Sequence, residues 1–196
     1  VILPDNMIYI PTAMFADCHS LSSITLPSGL QSIGPEAFIR CSKLSSIAMP
    51  ESITSLGADT FRKCTSLTMI KIPSKVTVLP SGLLRECSNL RSITFPQNLT
   101  VISSGMCEDC KSLLSLTFPD SLITIESHAF RKATLLSEVN FGKSLIYIGS
   151  HAFEGLYFLT KVSLPAVVKS IGSKAFMLCP LIEFKFVAYD EKVAPD

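Results

Sequence analysis

Residues 21–44 read LSSITLPSGLQSIGPEAFIRCSKL, and from Leu44 the same order of residue types starts again. Stepping outward by 23 residues, prolines recur at Pro4, Pro27, Pro50, Pro73, Pro96, Pro119 and Pro165, with Gly142 in the one skipped place. Cysteines recur at Cys18, Cys41, Cys64, Cys87, Cys110 and Cys179, with Ala133 and Leu156 in the gaps. An aromatic lies three residues earlier at Phe15, Phe38, Phe61, Phe130, Phe153 and Phe176, while Leu84 and Cys107 take the remaining two places. A leucine follows by three at every step from Leu21 to Leu159. Several residue classes on one period make an internal repeat, and a repeat of this length means stacked supersecondary units.

Each part of the unit has a physical reading. Leu21–Leu26 ends in apolar alternation, which predicts a short half-buried strand. Pro27 ends it, having no N–H for a ladder. Leu30 and Ile33 are the next inward residues and predict a second short extended segment. Gly34 permits a turn. Ala37, Phe38 and Cys41 have helical spacing over a very short span, which predicts a short helical or 3₁₀ turn. One such unit cannot bury its apolar residues alone, but stacked neighbours can, so the expected class is an α/β repeat solenoid. About eight coils at roughly 4.8 Å each give a rod about 38 Å long. The last cycle slips: Leu181 follows Cys179 by two, and Phe184 and Phe186 then fall in the places of Ile24 and Leu26.

Composition agrees. The 196 residues are 47% apolar and 17% charged, too apolar and too evenly charged for a disordered chain. Seventeen Lys+Arg against sixteen Asp+Glu exclude a nucleic-acid reader that works by bulk basic charge. No uninterrupted apolar run approaches the ~18 residues of a membrane helix.

The unit resembles the leucine-rich repeats of the BspA-like family, which carry the same leucines, the strand-ending Pro, the Ile-Gly step and the Ala-Phe-x-x-Cys segment. Leu21 through Ala37-Phe38 and Cys41 match, as do Ile171-Gly172 and Ala175-Phe176 with Cys179. Pro80 and Glu126 depart in the Gly place and Gly142 in the Pro place. The resemblance implies a right-handed, curved leucine-rich-repeat solenoid with a parallel β-sheet on its concave face. It also implies a surface or secreted protein that adheres to or binds other proteins, including host or extracellular-matrix proteins.

The expected organisation is a solenoid over 1–187 and a tail or linker over 188–196. Val1 and Leu3 occupy the places of Ile24 and Leu26, so the first coil is truncated and lacks the polar cap of a terminal repeat. That predicts a processed chain or a piece of a longer one, and uncapped coils imply end-to-end or edge self-association.

The chemistry-bearing residues map onto the same columns. The cysteine column alternates with Ala and Leu, so it reads as a small apolar filler, with free buried thiols and no disulfide expected. Stacked coils bring cysteine Cα atoms into bonding range, but parallel Cβ vectors suit the bond poorly. Cys107 and Cys110 have redox or metal spacing, yet one replaces a core Phe, the other is the ordinary filler, and no second Cys/His pair is in register. His128 and His151, 23 apart, should stack on a tolerant surface column; His19 stands apart. No base reaches a Ser or Cys nucleophile, and no Gly-rich phosphate loop is present. No catalytic residue, metal or cofactor is expected. Arg40, Arg62, Lys63, Arg85, Arg131 and Lys132 form a basic rim interrupted by Asp17, Glu86, Glu108, Asp109 and Glu154. It reads as a solvated edge before it reads as an anion-binding patch.

The outward columns of the sheet are the functional candidate: Ser46, Met69, Ser92, Ser115, Glu138 and Lys161 in one, Lys71, Thr94, Thr117 and Asn140 in the next. Extended solenoid faces serve as binding surfaces. Tyr9, Tyr147, Tyr157 and Phe158 offer another surface, and Asn98-Leu99-Thr100 is a lone glycosylation sequon. Three readings follow. The first is a surface or secreted protein-binding module. The second is a structural spacer with no ligand of its own. The third is an intracellular scaffold, since nothing here requires an oxidising compartment.

Overall fold

The computed structural model describes residues 1–180 and 183–187; Leu181 and the expected tail at 188–196 lie outside them. The chain winds as a parallel-strand solenoid of about eight turns. Two ladders of short strands run along it. One consists of Met69–Lys71 and Ser92–Thr94, followed by Ser115–Thr117, Glu138–Asn140, Lys161–Pro165 and Glu183–Val187. The other is made of two-residue strands, Tyr9–Ile10, Ser32–Ile33 and Ser55–Leu56, then Val78–Leu79, Val101–Ile102, Thr124–Ile125, Tyr147–Ile148 and Ser170–Ile171. Every pairing is parallel, and nearly all join residues 23 apart, such as Met69 with Ser92 and Tyr147 with Ser170. The last pairing, Val162 with Phe184, is 22 apart, which places the lost residue between these coils.

Alternation along the strands buries one face. Ile70, Leu116 and Val139 point inward between exposed neighbours, and Leu30, Leu44, Leu67 and Leu90 are fully buried. The aromatic column stacks almost face to face. Phe15–Phe38, Phe38–Phe61, Phe130–Phe153 and Phe153–Phe176 have ring centroids 5.3–5.6 Å apart and planes within 12°. Such offset stacks add to area burial.

The expected helical or 3₁₀ turn is corrected: among the described residues there is no helix. The segment around Ala37–Cys41 is a pair of tight turns with two residues in the left-handed region, Glu36 at φ 57° and Arg40 at φ 58°. Alternate amides close the turns (Ile39 N to Glu36 O, 3.0 Å; Cys41 N to Phe38 O, 3.1 Å). Those between them reach the next coil (Phe38 N to Thr60 O, 2.9 Å; Arg40 N to Arg62 O, 2.8 Å). A helix would turn every amide back along its own chain and leave the neighbouring coil's carbonyls unpaired. Coil-to-coil bonding therefore wins.

The glycine place serves close approach more than turning. A Cβ on Gly34 would lie 2.7 Å from Thr12 N in the preceding coil, and one on Gly57 2.2 Å from Pro35 N.

The cysteines also need a correction. Cys41, Cys64 and Cys87 are buried free thiols, as expected, but Cys107 and Cys110 form a disulfide, where none was expected. The C-x-x-C spacing points at this pair, but reading each cysteine as a filler of its own column sets the bond aside. The bond closes within one turn, where both side chains point into the core and the Cα atoms are 5.5 Å apart. That separation lies within the range a disulfide requires. The other column thiols donate to the carbonyl of the aromatic place one coil back: Cys41 to Phe15 O (3.1 Å), Cys64 to Phe38 O (3.2 Å), Cys87 to Phe61 O (3.0 Å). Burial pushes the Cys41 thiol up to about 11 and Cys87 up to about 12.

Candidate functional site

The first ladder places the sheet-face residues as two exposed columns flanking a buried one. Met69 and Lys71 stand either side of Ile70 and pair with Ser92 and Thr94. Ser115 and Thr117 pair with Glu138 and Asn140, and Asn140 pairs with Ser163. Lys161 pairs with Glu183 and Ser163 with Lys185. Ser46 is exposed on the same side, although its coil forms no strand there.

Two places on this face depart from small hydroxylic side chains. At one, Met69 is 63% exposed, a cost in water that the fold does not require. Beside it Lys71 Nζ lies 2.7 Å from Glu51 Oε1. The Lys71 hydrogen bond, with a second from Ser74 N at 2.7 Å, pulls the Glu51 carboxyl down to about 2. At the other, Asn140 Nδ2 donates to Glu138 Oε1 at 2.9 Å. Glu138, Asn140, Lys161 and Ser163 line a shallow depression of about 490 Å³. Lys161 has no ion partner among the described residues, so the second place offers a carboxylate, an amide and a free ammonium side by side.

The rim is not a basic stripe. Many of its charges pair with opposite charges on neighbouring coils. Arg62 Nη2 lies 3.1 Å from Glu86 Oε1, and Lys63 Nζ 3.4 Å from Glu86 Oε2. Glu108 sits between Arg85 at 3.1 Å and Arg131 at 3.3 Å. Arg131 Nε also reaches Glu154 Oε2 at 3.0 Å, and His151 Nδ1 reaches that oxygen at 2.7 Å. Asp17 and Arg40 pair at the first coils. Glu108 and Glu154 are 7% and 6% exposed, so these carboxylates are sheltered from water while their arginine partners stay partly exposed. Burial pushes the Glu154 carboxyl up. The His151 hydrogen bond and the Arg131 charge outweigh it and hold the group below its ordinary value. Glu86 behaves alike: burial raises it, and Arg62 and Lys63 bring it lower. The signal for this network lay in two adjacent columns, Arg62, Arg85, Glu108, Arg131 and Glu154 in one and Asp17, Arg40, Lys63 and Glu86 in the other, each succeeding every 23 residues.

His128 and His151 stack with centroids 5.0 Å apart and planes 5° apart. Their shared column also holds Gly82 and Gly105. All four have φ between 58° and 64°, which explains the glycines. Among the described residues no group of three or more His, Cys, Asp or Glu side chains is placed to hold a metal ion. No helix among them is long and apolar enough to cross a membrane.

The family model of the BspA type leucine rich repeat region matches in 6 copies over residues 1–114 and 101–192. The chain belongs to this BspA-type leucine-rich-repeat family. Its fold superposes on a Bacteroides ovatus leucine-rich repeat protein with TM-score 0.83 at 23% identity, over 95% of this chain and 55% of that one. A T. pallidum leucine-rich repeat protein gives TM-score 0.75 at 29% identity, over 81% and 77%. A leucine rich cell surface protein of Faecalibacterium prausnitzii gives 0.73 at 25% identity, over 96% and 60%. The pneumococcal vaccine antigen PcpA gives 0.60 at 26% identity, over 94% and 50%. The BspA-type chain therefore spans just over half the length of the Bacteroides protein. A search of curated proteins finds no match.

Proposed function

We propose that this chain is a non-enzymatic protein-binding or adhesion module of a cell-surface or secreted protein, and that it makes contact through the sheet face of the solenoid. The carrying observation is the pair of in-register exposed columns whose Ser/Thr pattern breaks at Met69–Lys71 and at Glu138, Asn140 and Lys161. Leucine-rich-repeat solenoids are generally non-catalytic and typically bind proteins. Relatives described as a cell surface protein and a vaccine antigen support a surface location. Host or extracellular-matrix proteins are the proposed partners, with edge or end-to-end self-association a second mode. The face carries few of the Trp, Tyr and Arg anchors that dominate tight interfaces. Each coil therefore contributes little, and affinity builds from several coils acting together.

A second reading, a spacer that makes no contact of its own, is favoured by the hydroxylic run Ser92, Thr94, Ser115 and Thr117. The two separate on a panel of immobilised extracellular-matrix and plasma proteins probed with the intact chain. The binding reading expects saturable capture by at least one of them. Signal at background across the whole panel favours the spacer and sinks the first reading.

A further inference from the structure

One column of the rim is charged on six successive coils: Asp17, Arg40, Lys63, Glu86, Asp109 and Lys132. All six have φ between 58° and 61°, so one turn conformation presents them alike. None of them is buried. Gly155 and Leu178 continue the column with the same sign of φ, so the fold accepts uncharged residues there.

The six signs run minus, plus, plus, minus, minus, plus. Strict alternation would neutralise them best within one chain, because nearest neighbours sit one coil, roughly 4.8 Å, apart. Asp17 does pair with Arg40, and Lys63 with Glu86. The same order also sets Arg40 beside Lys63 and Glu86 beside Asp109, and like charges directly opposite on a ladder are destabilising. Folding does not call for that arrangement.

Reversed and laid against itself, the column matches opposite signs throughout: Asp17 with Lys132, Arg40 with Asp109, Lys63 with Glu86. Two antiparallel copies, related by a two-fold axis crossing the rim between the coils of Lys63 and Glu86, make each of these three contacts twice. A slip of one coil either way is penalised. One slip sets Lys63 against Lys63 and Asp17 against Asp109; the other sets Glu86 against Glu86 and Arg40 against Lys132. Parallel copies in register oppose every charge to its like. Parallel copies two coils out of step match only four places and leave an open contact that adds copies without end. The charge order therefore selects one closed register. The column two residues further on fits the same register, with Thr65 facing Ser88 and Lys111 facing Ser42. Those four residues, with Arg40, Lys63, Glu86 and Asp109, line a shallow groove of about 580 Å³. Its short hydroxyl side chains leave room for the partner's long ones.

We propose that this rim face binds a second copy of the chain as an antiparallel pair. The contact uses neither the sheet-face columns nor the coil ends, so its failure leaves the sheet-face reading untouched. Exposed ion pairs are individually weak, so the dimer is reversible and sensitive to salt.

Sedimentation equilibrium of the intact chain tests this. A monomer–dimer mixture is expected at about 0.05 M salt, and monomer at about 0.5 M, where exposed charges are screened. Asp17→Lys or Lys132→Asp alone sets like charges together at both ends of the contact and should weaken the dimer at least fivefold. The two changes combined restore opposite signs and should return the dissociation constant to near its wild-type value. Asp17 and Lys132 lie five coils, about 24 Å, apart in one chain, so no contact within a monomer accounts for such a rescue. Carbodiimide, which joins touching carboxylate and ammonium groups, should link Asp17 to Lys132 in the wild-type dimer and not in the monomer. The proposal is overturned by a chain that stays monomeric up to about 1 mM at low salt, or by a dimer that salt strengthens. Single changes without effect, a double variant no better than the singles, a dimer lacking the Asp17–Lys132 link, or growth beyond the dimer would each overturn it as well.

Discussion

Phe61 shows how much one column residue carries. It is fully buried and stacks on Phe38 at 5.6 Å. Phe61→Ala removes that stack and leaves a cavity between coils, at a cost of about 3–5 kcal/mol. Ser46→Ala, on an exposed place, should change stability by no more than about 0.5 kcal/mol. Urea melts of the two variants giving equal losses would mean that inward and outward places are wrongly assigned. The role of cysteine as column filler was legible because Ala133 and Leu156 stand in for it. The Cys107–Cys110 bond was legible only as a redox spacing, and reading each cysteine as the filler of its own column set it aside; that the two meet inside one turn shows only in the structure. Thiol counting in urea separates the two states: five reactive thiols without reductant and seven after reduction. In the folded chain, exposed Cys18 should react first, while Cys64 and Cys87 stay protected. Seven thiols before reduction would contradict the bond.

The turn element is where the sequence misleads. Ala37, Phe38 and Cys41 have helical spacing, but the backbone alternates between turn closure and bonding to the next coil. The available signal was positional: glycine at Gly82 and Gly105 shares the Glu36 column, and Gly155 shares the Arg40 column. A glycine substitution reads out the difference by sign. In a helix interior Glu36→Gly would cost about 1 kcal/mol. In the left-handed region it relieves Cβ strain, and stability should rise by up to about 1 kcal/mol. A lower urea midpoint for Glu36→Gly would restore the helical reading. The two strand ladders, by contrast, were legible from Ile24-Thr25-Leu26 and Leu30–Ile33, since an alternating pattern interrupted by Pro leaves little choice.

At the scale of the whole molecule, the columns convert sequence period into surface. Balanced composition reflects paired charges: the rim arginines of successive coils face Glu86, Glu108 and Glu154. A count of basic residues could not show this, because pairing depends on which coil each charge occupies. Glu86 and Glu154 are held below the ordinary value of 4.5 in the folded chain and return to it on unfolding. Their contribution to stability is therefore complete above that value and is lost as pH falls through it toward the lowered folded values. The urea midpoint should be level from pH 7 to about 5 and drop below, and Arg131→Ala should soften the drop; a midpoint that rises below pH 4.5 would contradict the network. The sheet-face columns were readable residue by residue, but no partner chemistry is written in a run of serines and threonines. The central claim is that this face binds. Its most direct test titrates the best binder from the matrix and plasma panel against wild type, a Lys71→Glu/Lys161→Glu double variant of the sheet face and the rim variant Lys132→Ser. The account predicts at least a tenfold loss of affinity in the double variant and none in Lys132→Ser, whereas equal affinity for wild type and the double variant would contradict it.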